Sequence, residues 1–186
     1  MLGHLQRQKS FHYFELLDRD EDGYINGEDF EAQAERLAEE RDLSEEEHEA
    51  LEEQMLGWWN QLCATADAND DDQVSRGEWE NFWDAIQTTI EEGTEKEREQ
   101  MLNSLEHAGK VTFQTIDASD SGEITEDEYA DWLEAWGAEG SSMAFDQLDR
   151  SGDGTLSEED LVEATKEFYL SNEFEAPGNL LYGSLQ

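Results

Sequence analysis

The sequence predicts an all-α fold of eight helices arranged as four helix-loop-helix units. Three observations predict it. Four twelve-residue segments, beginning at Asp18, Asp67, Asp117 and Asp149, repeat one arrangement of oxygen-bearing side chains and each closes with an acid at its twelfth position. Apolar residues recur at helical spacing on both sides of every segment. A hydroxyl at the ninth position followed three residues later by an acid, in Ser75 to Glu78, Thr125 to Glu128 and Ser157 to Asp160, is the signature of a helix start.

Taken in order, Phe11, Phe14 and Leu17 form the apolar stripe entering the first segment, and Phe30, Ala34 and Leu37 the stripe leaving it. The stretch 30–66 splits near Ser44, which makes a capping box with Glu47 and opens a long helix. Leu51, Met55, Trp58, Trp59 and Leu62 carry that helix into the second segment, and Trp79, Phe82, Trp83 and Ile86 leave it. The stretch 79–116 divides around Gly93 and Thr94, with a second box between Thr94 and Glu97. Leu102, Leu105, Phe113 and Ile116 enter the third segment; Tyr129, Trp132, Leu133 and Trp136 leave it. Phe145 and Leu148 enter the fourth, and Leu161, Ala164 and Phe168 follow.

A hard divalent cation such as calcium takes about six to eight oxygens, and a single short loop supplies them only if its backbone turns sharply. In the first segment Asp18, Asp20 and Asp22 stand at positions 1, 3 and 5, Gly23 turns the chain, Tyr24 offers its carbonyl, Asn26 at position 9 reaches through a water, and Asp29 closes the site. The second has Asp67, Asn69, Asp71, Gln73 and Glu78 in the same roles, with Asp72 where glycine is expected. The third runs Asp117, Ser119, Ser121, Gly122, Glu123 and Glu128; the fourth runs Asp149, Ser151, Asp153, Gly154, Thr155, Ser157 and Asp160. One acidic twelve-mer is more often a solvated turn than a metal site. Four in the same pattern are not explained that way. The segments resemble EF-hand loops, and the aliphatic residue at position 8 of each (Ile25, Val74, Ile124, Leu156) lies where the resemblance implies a short antiparallel ladder between paired loops.

The four copies are unequal. Asp29 and Asp160 are shorter than the glutamates that close the other two loops, so they reach the ion through fewer oxygens, a geometry that suits magnesium. The first and fourth loops are therefore expected to accept Mg2+ as well as Ca2+. Asp72 must adopt a left-handed backbone, at a cost of roughly 1 kcal/mol. The third loop has only Asp117 and Glu128 as carboxylate ligands, Glu123 coordinating through its backbone, and is expected to be the weakest complete site. Three to four bound calcium ions follow.

At 186 residues, 36% apolar with six Trp and eight Phe, the chain has material for a true core despite a net charge of −39 that is otherwise typical of disorder. Eleven basic residues against 50 acidic ones exclude nucleic acid and anionic membranes as partners. No apolar run approaches the roughly 20 residues that span a bilayer, Met1 to Lys9 lacks a signal-peptide core, and the single Cys63 excludes an internal disulfide, so a cytoplasmic location is expected. His4, His12, His48 and His107 show no zinc spacing, Cys63 reads as a small apolar residue without a base nearby, and no constellation suggests an enzyme. A monomer is expected, with no protein target indicated.

The loop starts are 49, 50 and 32 residues apart, so only the last two are tightly linked. The chain divides into an N-terminal pair, 1–92, a C-terminal pair, 93–170, and a tail, 171–186. The long inter-loop segments of the first half, Asp29 and the ending Ala176 to Gly183 resemble the sarcoplasmic calcium-binding proteins and the calerythrin-like proteins. That resemblance implies two pairs packed into one compact body and a calcium and magnesium buffer or signal modulator. Phe174, Leu180, Leu181, Tyr182 and Leu185 make the tail an apolar plug over the core, with the six tryptophans inside. Two other roles use the same layout. A sensor would open a Met-rich groove to a target, whereas this chain has four Met. A photoprotein-like chromophore binder would carry a histidine after the last loop, and none lies between Thr165 and Gln186.

Overall fold

Six of the helices begin at a side chain that caps them. In a computed structural model describing residues 2–138 and 142–185, α2 (Gly27–Glu40), α3 (Glu45–Ala66), α4 (Arg76–Glu92), α5 (Glu95–Ile116), α6 (Glu126–Ala135) and α8 (Glu158–Leu170) start after Asn26, Ser44, Ser75, Thr94, Thr125 and Ser157. Each cap oxygen accepts a backbone N–H of the first turn, and the acid three residues on takes the cap's own N–H. Such a cap is worth about 1 kcal/mol. With α1 (His4–Leu17) and α7 (Ser142–Leu148) the described residues hold the eight expected helices. Met1, residues 139–141 and Gln186 lie outside the described residues, and with them the first residue of the N-terminal pair and the last of the tail.

The loops pair two by two. Strand β1 (Tyr24–Ile25) runs antiparallel to β2 (Val74–Ser75), with Ile25 opposite Val74, and Ile124 and Leu156 exchange N–H to carbonyl bonds of 2.9 Å each way. All four position-8 residues are fully buried, so the ladders form part of the core.

The two halves share that core. Across them, Gln87 Nε2 donates to Tyr169 O at 2.6 Å, Arg19 Nη1 to Trp136 O at 3.0 Å and Arg41 Nη1 to Thr115 O at 3.0 Å, while Trp79 Nε1 donates to the Ser10 carbonyl at 2.8 Å within the first half. Helices α5 and α8 approach so closely at Gly109 that a Cβ there would lie 2.7 Å from Val162 Cα. Every tryptophan but Trp58, which is half-buried, lies inside.

The C-terminal segment crosses this core through a single turn of 3-10 helix, Pro177–Leu180. Leu181 and Tyr182 are buried, the Tyr182 ring stacks on Tyr13 at 4.1 Å, and the Tyr129 hydroxyl donates to the Leu180 and Leu181 carbonyls. Lys9, with no exposed surface, donates from Nζ to Glu167 O, Ser171 O and Asn179 Oδ1 at 3.1, 2.8 and 3.1 Å. Desolvation lowers its ammonium to about 8, partly offset by Glu167.

Three side chains depart from expectation. Phe174 is 75% exposed, because Asn179 Nδ2 draws the Glu173 and Phe174 carbonyls inward and leaves the ring facing solvent. Leu102 sits at the exposed margin of α5. Cys63 is half-buried, and its Sγ donates to Asp67 Oδ2 at 3.6 Å as α3 turns into the second loop.

Candidate metal centres

Each loop folds around its first carboxylate. The position-6 amide donates to the position-1 acid in all four: Gly23 to Asp18, Asp72 to Asp67, Gly122 to Asp117 and Gly154 to Asp149, at 3.0, 3.0, 2.9 and 2.8 Å. The turn that permits this needs a left-handed residue at position 6, and Gly23, Asp72, Gly122 and Gly154 have φ of +90°, +59°, +83° and +90°. Asp72 thus takes up the glycine's conformation. Position 4 is also left-handed throughout, at Glu21, Asp70, Asp120 and Gly152. Sequence reasoning missed this, because only Gly152 carries the residue type that signals it.

The twelfth acid bridges the two ends of its loop. One oxygen accepts the position-9 amide, from Asn26 to Asp29, Ser75 to Glu78, Thr125 to Glu128 and Ser157 to Asp160, at 2.8 to 2.9 Å. The other accepts near the loop's start, from Arg19 in the first loop, Ala68 in the second and Ser119 in the third. Asn26, at position 9, also caps α2 by accepting the Glu28 amide at 2.8 Å. The signal was present, since Asn26 and Asp29 have the spacing of the three hydroxyl caps.

In the first loop, carboxylate oxygens of Asp18, Asp20 and Asp22 all lie within 4.8 Å of one another. Asp18 Oδ1 is buried and has no hydrogen-bond partner. Burial raises the pKa of both Asp18 and Asp29, with the neighbouring acids adding to it and backbone amides opposing. Crowded carboxylates with a buried, unpartnered oxygen fit a bound cation, which would supply the charge and the missing partner.

Comparison with known proteins agrees with this geometry. A family model for an EF-hand domain pair matches residues 1–37, and an EF-hand model matches residues 143–163. Segments near both ends of the chain thus match EF-hand models. Calerythrin from Saccharopolyspora erythraea is 29% identical over 160 residues, covering 84% of this chain and 87% of that protein. Among solved structures, the calcium-loaded apo form of coelenterazine-binding protein from Renilla muelleri superposes with a TM-score of 0.78 at 22% identity, over 99% of this chain and all of that one. The sarcoplasmic calcium-binding protein from amphioxus superposes with a TM-score of 0.71 at 22% identity, over 99% of each.

The four loops differ in how free their ligands are. In the third, Ser119 Oγ and Ser121 Oγ lie 3.3 and 3.5 Å from Asp117 Oδ1, and Ser121 Oγ donates to the Glu123 carbonyl at 2.7 Å. Two hydroxyls and the position-7 carbonyl are thus already engaged with one another. In the second, Asp67 Oδ1 gathers the amides of Asn69, Asp70 and Asp71, and those bonds lower its pKa against desolvation. No helix among the described residues is long and apolar enough to cross a membrane.

Proposed function

We propose that all four loops bind calcium through the residues identified above, and that the chain is a calcium buffer of the calerythrin and sarcoplasmic type. The observation that carries this reading is the first loop's cluster of carboxylates around the unpartnered, buried Asp18 Oδ1. The repetition of its position-6 and position-9 amide bonds in the other three loops extends it. Within each site the chain's own work is orientation. Amides hold the first and twelfth carboxylates at opposite ends of the loop, and position 7 presents a carbonyl between them. The second loop is included because Asp72 reproduces the glycine's backbone and its amide contact. The first and fourth loops, closed by Asp, accept magnesium; the third is the weakest. Residues 1–92 and 93–170 act as the two site pairs, and 171–186 as the plug that keeps their common core closed. The chain works as a monomer without a protein target.

Calcium titration by calorimetry, with and without millimolar magnesium, tests this. Four sites are expected, two of them weakened by magnesium. Binding should raise helicity and alter tryptophan fluorescence without creating a site for a hydrophobic dye. Strong calcium-dependent dye binding would overturn the buffer reading in favour of a sensor.

A further inference from the structure

Between α3 and α5 the surface opens into a cavity of about 160 Å³ that none of the calcium ligands lines. Its rim is polar, with Gln61, Ser104 and His107 exposed at the mouth. Its floor is aromatic, made by Tyr13, Trp79, Tyr169 and Tyr182, with ring centroids of Tyr13 and Trp79 5.6 Å apart. No Asp, Glu, Lys or Arg lines it among the described residues.

The floor also carries hydrogen-bond donors. Tyr13, Tyr169 and Tyr182, each with a phenol, and the hydroxyl-bearing Thr112 all line the cavity. A phenol carries one O–H donor, the kind of group that an oxygen entering the cavity can meet. Trp58, on the wall, has its indole N–H buried without a partner.

We propose that this cavity is a binding site for a neutral, single-ring aromatic molecule bearing an oxygen acceptor. Size sets the single ring, since an apolar cavity of about 150 Å³ holds one benzene. The aromatic floor supplies ring faces and edges for stacked or edge-on contact. Neutrality follows from an uncharged lining inside a chain of net charge −39, which repels anions. The oxygen meets the phenols of the floor. A chromophore of several fused or linked rings exceeds this volume. The site does not depend on how many of the loops hold calcium.

The test is ligand-observed NMR on the calcium-saturated full chain, with p-cresol as probe and toluene as the ring without oxygen. p-Cresol is expected to bind about threefold or more tightly than toluene, the worth of one net hydrogen bond. Ala108→Phe, which places a ring in the cavity from the α5 wall, should weaken p-cresol at least about tenfold while calcium stoichiometry stays unchanged. Nuclear Overhauser contacts between p-cresol and the Trp79 and Tyr182 rings of the unaltered chain provide a readout that does not depend on the variant folding. Absence of those contacts at millimolar p-cresol, or equal binding by a folded Ala108→Phe chain, would overturn the proposal.

Discussion

Replacing Tyr182 by alanine removes the side chain on which closure of the core depends. The residue is 4% exposed and its ring lies 4.1 Å from Tyr13, 4.8 Å from Phe168 and 5.6 Å from Trp132, centroid to centroid. Truncating a buried aromatic residue costs about 3–5 kcal/mol, including the cavity left behind. The stacked pair with Tyr13 places Tyr182 toward the upper half of that range. Taking about 4 kcal/mol, and about 2–4 °C per kcal/mol for a chain of this size, the calcium-saturated protein should melt roughly 10 °C lower. Tyr182→Phe separates the ring from its hydroxyl. It keeps the stacking, gives up only what the hydroxyl contributes, and should lose only about 1 kcal/mol. Calorimetric melting in saturating calcium gives the midpoints, and a hydrophobic dye reports whether Phe168 and Trp132 become accessible. A loss under about 1 kcal/mol for Tyr182→Ala, with no gain in dye binding, would refute the plug.

Four further outcomes are expected. Glu78→Gln should reduce the calorimetric calcium count from four to three; an unchanged count means that the second loop is silent despite the backbone of Asp72. Ser121→Asp adds a carboxylate at position 5 of the third loop and frees the Glu123 carbonyl, and should tighten that site about tenfold in a calcium titration. Lys9 titrates at about 8 in the folded chain and near 10.5 when unfolded, so between those values the unfolded chain holds more protons and stability rises with pH. Urea unfolding in saturating calcium should therefore show a gain of about 2 kcal/mol from pH 8 to 9.5, absent in Lys9→Met; above pH 10 the raised Tyr13 and Tyr169 reverse the sign. In chelator, burial holds the Asp18 and Asp29 pKa values above their unfolded ones, so their contribution is present at low pH and lost on raising it, and the ion-free chain should melt higher at pH 5 than at pH 7.5.

The helices and loops were legible in the sequence because their signals are local. A cap and its acid three residues on, as in Ser44 with Glu47 or Thr94 with Glu97, fix a helix start without help from the rest of the chain. The position-1 to position-12 spacing likewise encodes a loop that closes on itself. What depends on distant residues was not legible. Lys9 reads as a surface lysine of an N-terminal helix, yet it is buried by a tail that lies about 170 residues along the chain. Phe174 reads as part of the plug, but the Asn179 amide decides which way that backbone faces. Trp58 shares a helical stripe with Met55 and Leu62, and nothing in the stripe says that it lines a cavity while Met55 is fully packed. Spacing gives the face of a helix; only the packing of the other helices gives the shape of what it meets.

The same packing bears on what calcium binding can do here. Four divalent ions carry eight positive charges, which would leave a net −31 from −39, so binding relieves self-repulsion and favours the folded chain. For that free energy to open a groove, a pair of helices would have to separate from the shared core. The separation would break Gln87 from Tyr169, Arg19 from Trp136, Arg41 from Thr115, the Lys9 bonds to the end of α8, and the stacking of Tyr182 on Tyr13. Those bonds join the two halves, or join the tail to both, so neither pair can open alone. A target groove would also expose rigid tryptophans in place of adaptable methionines. On the proposed reading, ion binding in such a body would order loops and tighten an interior that is already closed, as a buffer requires.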